Sequence, residues 1–299
     1  MQDSALSTIG LPLALAIIML GLGLHLRLDD FKRIATQPKA ILVGLVCQVL
    51  LLPAVCYGLC KVFGLPAGLA VGMMLLAASP GGITANLYSH LFKGDVALNI
   101  SLTAINSVLA IVTIPLIVNF ALGSFMGSQQ YIPLQFQKTL EVIVLILVPV
   151  AIGMLIHARF PNVSKRMDKP VKIASALILA LMIVAILIRE RSVLVDNFKL
   201  VGSASLVFNL ISMGMGYAAG RVMRLTEGQN RAIAFEIGIH NSTLAIYLAL
   251  AVLKDGSMAI PPAIYSLLMF FTAAVFGAWV ARKPVAEGTA AQGGSARGQ

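Results

Sequence analysis

Charge is what this chain has least of. Asp, Glu, Lys and Arg make up 11% of its 299 residues, against about 25% in an ordinary soluble domain, which excludes a conventional water-covered globular surface. The three cysteines, Cys47, Cys56 and Cys60, fall in or beside one apolar run. Their spacing fits neither a disulfide framework nor a metal motif, and buried cysteine packs as a small hydrophobe. No phosphate-binding glycine loop, catalytic carboxylate pair or Ser-His-Asp arrangement is evident, and His25, His90 and His157 lack metal-ligand spacing, so the common soluble-enzyme readings fall away. The 22 Lys and Arg outnumber 12 Asp and Glu, for a net charge of +10. They sit in short clusters between apolar runs, which is how membrane helices are anchored rather than how a nucleic-acid groove is built.

What fills the chain instead is hydrocarbon: 59% of residues are apolar and the mean hydropathy is +0.92. Runs of spanning length lie near 7–27, 39–61, 66–91, 96–121, 136–158, 170–189, 198–222, 229–253 and 260–281, each close to the ~20 residues that a bilayer core requires. The first has no basic region ahead of it and reads as a retained helix, not a signal peptide. The expected fold is an all-α polytopic membrane protein of nine transmembrane helices. One membrane unit covers 1–285, and the small polar stretch 286–299 forms a disordered cytoplasmic tail.

Basic residues orient the spans. With the N-terminus outside, only Lys61, Lys138, Arg189, Arg191, Lys199 and Lys254 of the 22 face outward. The rest, including Arg27, Lys32, Arg33, Arg166, Lys169, Arg221 and Arg231, collect in short inner loops, so the N-terminus is expected outside and the C-terminus in the cytoplasm.

Two apolar segments carry polar clusters. One holds Glu236, His240, Asn241, Ser242 and Thr243; the other holds Ser79, Pro80, Gly81, Gly82, Thr84, Asn86 and Ser89. Ionisable groups at membrane depth are costly and are usually kept for handling ions or substrates. Proline removes a backbone donor and glycine adds freedom, which favours an interrupted helix; a plain packing kink is the alternative. The topology sends the two segments into the membrane from opposite sides, as an inverted repeat requires, with the first half short of its opening helix. Asn99, Thr103 and Asn106 follow at i, i+4 and i+7 on one helix face. They serve either as interhelical glue or, with Glu236, as oxygen ligands for a small cation. His240 can change charge near neutral pH, so proton use stays open alongside. Gln48, read alone, is interhelical glue.

The ordered set Gly21-Leu22-Gly23-Leu24, Asp30-Phe31-Lys32-Arg33, Pro38-Lys39-Ala40, Ser79-Pro80-Gly81-Gly82, Thr84-Ala85-Asn86-Leu87, Lys93-Gly94-Asp95-Val96-Ala97-Leu98-Asn99 and Glu236-Ile237-Gly238-Ile239-His240-Asn241 resembles the bile acid:sodium symporter family from Gly10 to Trp279. The resemblance implies crossed, discontinuous helices at the third and eighth spans. It also implies a panel domain (about 7–38 and 136–189) and a core domain (about 39–121 and 198–281). One sodium site would use Asn86, Asn99, Thr103 and Glu236, with the backbone near Ala85. A second would use Gln48, Glu236, His240 and the carbonyls around Ile237 and Ile239. Ala85 and Asn99 stand where the family often has serine, and His240 where glutamine is common. Asn241, with Thr84 and Asn86, would face the substrate.

The segments Gly82–Leu87 and Leu98–Thr103 resemble a bacterial branch containing a pantothenate-precursor transporter, which brings in ketopantoate or pantoate. The resulting expectation is no enzyme and no cofactor. It is sodium-coupled symport of a small organic anion by alternating access in a bacterial inner membrane, with two sodium ions as coupling ions. The expected partners are the anion, sodium and the bilayer, with no nucleic acid and no obligate protein partner. Proton-coupled organic anion transport and a non-transporting membrane receptor are the competing readings.

Overall fold

The computed structural model describes residues 10–127 and 136–282. The start of the expected span 7–27, the tail 286–299, Lys283 and Arg297 lie outside that range. Every named element is helical. In order they are α1 (Leu11–Gly23), α2 (Leu28–Thr36), α3 (Pro38–Val46), α4 (Leu52–Val62), α5 (Ala67–Ala78), α6 (Ile83–Leu91) and α7 (Val96–Met126). Then follow α8 (Phe136–Arg159), α9 (Pro161–Arg189), α10 (Arg191–Val222), α11 (Glu227–Gly238), α12 (Ser242–Tyr247) and α13 (Ile260–Ala281). A π-helical turn at Cys47–Leu51 joins α3 to α4, so Pro38–Val62 is one span. That run, Val96–Met126, Pro161–Arg189, Arg191–Val222 and Ser257–Ala281 are long and apolar enough to cross a bilayer. Leu11–Gly23, Ala67–Ala78, Val144–Arg159 and Ser242–Val252 are shorter apolar helices. The chain is a multi-pass membrane protein.

Several helices outrun their apolar stretches. The run expected at 170–189 belongs to a helix that starts at Pro161, and the run at 198–222 to one that starts at Arg191. Their extra turns carry Lys165, Arg166, Lys169 and Asp196, which a search for hydrocarbon length passes over. α2 is missed for the same reason: Asp29 and Asp30 occupy its first turn, and Asp29 pairs with Lys32 at 2.6 Å on an exposed surface.

α1 packs against α8 and α9, while α10 packs against α11 and α13, and α5 and α11 against α7. Side chains tie the first group together at one end. His157 Nδ1 lies 2.7 Å from Leu24 O, and His25 Nε2 lies 2.7 Å from Asp168 Oδ1.

Two helices are interrupted. α5 stops at Ser79, whose extended backbone (φ −75°, ψ 137°) is the conformation a following proline enforces; α6 begins after extended Gly82. α11 stops at Ile239 (φ −115°, ψ 94°), and Asn241 caps α12 by accepting from Leu244 N–H at 3.1 Å. The two breaks meet. Gly81 and His240 form an antiparallel bridge, and Asn241 N–H donates to Pro80 O at 2.9 Å. Lipid offers no partners to freed backbone groups, so each break supplies partners to the other.

Candidate functional site

Where the breaks meet, polar side chains gather in an otherwise apolar interior. Glu236, two residues before the end of α11, is fully buried. Asn106 Nδ2 donates to its Oε1 at 3.2 Å and Thr103 Oγ1 donates to its Oε2 at 2.6 Å. Thr103 Oγ1 also lies 3.1 Å from Asn99 O, but a hydroxyl has one proton and can serve only one of the two acceptors at a time. Gly81 packs directly on the carboxylate: a Cβ placed there would sit 2.5 Å from Glu236 Cδ. Only glycine allows backbone to approach the carboxylate that closely.

Asn99, one turn before Thr103, donates Nδ2–H to Ala232 O at 2.7 Å and so links α7 to α11. Asn86 is buried on α6, which packs against both α7 and α11. Three carboxamide oxygens on α6 and α7 are buried without a protein hydrogen-bond partner, Asn86 Oδ1, Asn99 Oδ1 and Asn106 Oδ1, and Gln48 Oε1 is in the same condition across the bridge. An acceptor left in that condition costs about 1–3 kcal/mol. Unpartnered carboxamide oxygens near a carboxylate are groups that a small cation with hard oxygen preferences, such as sodium, could satisfy.

A second lobe lies across the bridge. Gln48, in the π-helical turn, donates Nε2–H to Ser79 O at 3.0 Å. His240 Nδ1 lies 3.2 Å from the same carbonyl; donation there leaves the Nε2 lone pair, which is buried without a partner. The imidazole stacks on Phe208 at 5.9 Å between centroids and leans on Tyr265 at 5.4 Å. Among the described residues no hydrogen bond or ion pair joins His240 to Glu236. A structural carboxylate–imidazole pair is therefore replaced by two separate polar lobes with Gly81 between them.

A model of the Sodium Bile acid symporter family matches residues 12–197, more than half of the chain. The chain belongs to that family. It is a transporter family, so membership places the chain among sodium-coupled transporters and not among enzymes. The chain is 29% identical over 254 residues to the uncharacterized sodium-dependent transporter YocS of Bacillus subtilis, covering 85% of this chain and 77% of that protein. It is 27% identical to the probable sodium/metabolite cotransporter BASS1 of Arabidopsis thaliana (85% of this chain, 62% of the relative). The human ileal sodium/bile acid cotransporter is 26% identical (93% of this chain, 80% of the relative). The chain thus spans less than two thirds of the chloroplast relative's length.

Of the side chains expected at one sodium site, Thr103 touches Glu236 and Asn99 touches α11 one turn earlier at Ala232 O, while Asn86 is buried on α6. Gln48 and His240 draw together at Ser79 O instead. Ala85 is buried and presents only a methyl group, Ile237 and Ile239 are buried beside the break, and Thr84 lies half-buried in the first turn of α6. Asn241 has its Oδ1 committed to capping α12, which leaves its amide hydrogens as the group it can offer. Asn106, which the resemblance's ligand set omits but the spacing along α7 had grouped with Asn99, Thr103 and Glu236, contacts the carboxylate directly. Gly81's contact with the carboxylate had no such signal.

One of the basic residues counted on the inner side is not solvated. Arg231, at the start of the run 229–253, is fully buried in α11. Its guanidinium donates to Phe92 O at 3.1 Å and Val280 O at 2.8 Å, and faces Glu227 at 3.4 Å. Five donors on one planar head let it satisfy the ends of neighbouring helices from inside.

Proposed function

We propose that this protein carries a small organic anion across a bacterial inner membrane together with sodium, by alternating access. The observation that carries the reading is the buried Glu236 carboxylate amid carboxamide oxygens that no protein donor reaches. Sodium entering from outside offsets the negative charge and satisfies several of those oxygens at once. Asn86, Asn99, Thr103 and Glu236 form one ion site, and Asn106 joins them. Gln48, Glu236, His240 and the carbonyls of Ile237 and Ile239 form the second, which makes two coupling ions.

The anion binds beside the breaks, near Thr84, Asn86 and the amide of Asn241, where the first turn of α6 adds backbone donors. Nine spans in inverted halves, with the first helix absent from the first half, complete the arrangement. α1, α8 and α9 act as the panel and the remaining long helices as the core; the packing of α1 on α8 and α9 supports that division. The N-terminus lies outside and the C-terminus inside. Ion and anion each stabilise the other's site by one reciprocal coupling free energy.

The substrate class proposed is ketopantoate or pantoate, resting on the Gly82–Leu87 and Leu98–Thr103 segments. Uptake into proteoliposomes under separately imposed sodium and proton gradients tests the coupling. Uptake driven by sodium alone is expected; uptake driven only by protons would overturn it in favour of proton coupling, and binding without uptake would indicate a receptor. A competition screen with ketopantoate, pantoate, pyruvate and taurocholate tests the substrate. Sodium-dependent stabilisation by the first two is expected, weakened in Asn241→Ala. Sodium-dependent binding of another anion alone would replace the substrate and leave the coupling intact.

A further inference from the structure

Directly behind the α11–α12 break lies a polar group on α10 and α13 that no motif marked. Asn209 Nδ2 donates to Gly238 O at 2.8 Å and to Tyr265 Oη at 2.8 Å. The Tyr265 hydroxyl in turn donates to Gly238 O at 2.9 Å. Thr272 Oγ1 donates to Asn209 Oδ1. Asn209 and Tyr265 are fully buried. The Asn209 amide and the tyrosine proton thus converge on one carbonyl, while the single proton of the Thr272 hydroxyl is shared among Asn209 Oδ1, Leu268 O and Met269 O.

What it holds is one peptide. Gly238 O takes two donors from α10 and α13, while the N–H of the same peptide, on Ile239, donates to Phe235 O at 3.0 Å. α10 reaches Gly238 so closely that a Cβ there would lie 2.2 Å from Met213 Cγ. Pinned at both ends and against α10, the 238–239 peptide cannot rotate. Its orientation determines where the flanking carbonyls of Ile237 and Ile239 and the ring of His240 point. The same hydroxyl-bearing ring of Tyr265 also leans on His240.

We infer that Asn209, Tyr265 and Thr272 are positioning residues for cation binding: they aim the backbone of the α11–α12 break without touching the ion. The inference rests on the sodium-site reading above. Its consequence is selectivity as well as affinity, because a fixed set of carbonyls discriminates ions by size and a loosened set does not.

The test is sodium and lithium titration of the purified full-length protein, with thermal unfolding recorded alongside. Tyr265→Phe keeps the ring against Phe208 and His240 and removes only the hydroxyl. It is expected to raise the half-saturating sodium concentration about tenfold and to narrow the sodium-over-lithium preference, with ion-free unfolding temperature within a few degrees. Thr272→Val is expected to give a smaller loss, about threefold, which Thr272→Ser restores; it carries the test if Tyr265→Phe does not fold. Wild-type sodium affinity and selectivity in a folded Tyr265→Phe protein would overturn the inference. So would a fall in ion-free stability with the selectivity ratio unmoved, which is the signature of packing alone. Glu236→Gln separates the two levels: if it too binds sodium normally, the ion-site reading fails, and if it alone loses sodium, only the positioning role fails.

Discussion

Two buried polar networks built around carboxamides lie within one protein interior, on opposite sides of the α11–α12 break, and their hydrogen-bond accounts differ. Behind the break, Asn209 Nδ2 and the Tyr265 hydroxyl both turn to Gly238 O, and the Thr272 hydroxyl lies against the Asn209 oxygen. In front of it, Asn99 and Asn106 spend an amide hydrogen on Ala232 O and Glu236 Oε1, and their oxygens receive nothing from the protein. Gln48 repeats the second pattern with Ser79 O. Burial and residue type are alike, so neither distinguishes structure from function here. The balance of acceptors to donors does. One network leaves no carboxamide oxygen without a neighbouring donor group, and the other leaves the oxygens of Asn99 and Asn106 without one beside a carboxylate.

The sharpest way to break that contrast is to add donors to the open side. Glu236→Gln removes the charge and supplies amide hydrogens to the spare oxygens. Sodium affinity is expected to fall about a hundredfold or more, with sodium-driven uptake lost. Ion-free unfolding temperature should stay level or rise, since a buried charge has been replaced by a neutral donor. Sodium titration followed by thermal unfolding checks both halves, and equal sodium affinity in mutant and wild type would sink the assignment.

Crowding the same carboxylate comes next. Gly81→Ala forces a methyl group to within 2.5 Å of Glu236 Cδ, and the bridge to His240 prevents the backbone from yielding. Overpacking of this kind costs about 1–3 kcal/mol, and uptake is expected to drop tenfold or more. A variant with unchanged uptake in proteoliposomes would mean that the two breaks move apart freely.

Thr103→Val tests a single contact. A hydrogen bond to a charged group contributes about 1.5–3 kcal/mol, and its removal should raise half-saturating sodium roughly tenfold while the α7 helix remains intact by circular dichroism. If the affinity does not change, the hydroxyl proton belongs to Asn99 O and not to the carboxylate.

The smallest effect is expected in the second lobe. His240→Gln retains a donor for Ser79 O and adds an oxygen, so sodium-driven uptake should remain within about threefold of wild type between pH 6 and 8. Complete inactivity of the correctly inserted protein would show that the imidazole does work no carboxamide can do, and would bring proton coupling back.

The membrane class was legible because apolar runs near ~20 residues have few other uses. The two breaks were legible because Pro80 with Gly81 and Gly82, and Gly238 before His240 and Asn241, interrupt runs that otherwise have no reason to stop. α2 and the polar starts of α9 and α10 were not legible as helix, since amphipathic turns outside the hydrocarbon leave no long apolar signal. The burial of Arg231 was not legible because charge patterning counts residues without knowing which carbonyls wait nearby. Asn209 and Thr272, separated by 63 positions, leave no local pattern at all.

By itself the sequence determined that this chain crosses a membrane, that two of its apolar runs carry polar, glycine-bearing interruptions, and that Glu236 lies within one of those runs. Each follows from local composition and from the cost of moving polar groups into lipid. Only the tertiary structure decided which oxygens around Glu236 keep their lone pairs free, that His240 turns to Ser79 and not to the carboxylate, and that Gly81 meets both. Those outcomes depend on which donors from distant helices reach a given acceptor, and hydrogen bonds are settled by distances of a few ångströms that spacing along a chain does not encode.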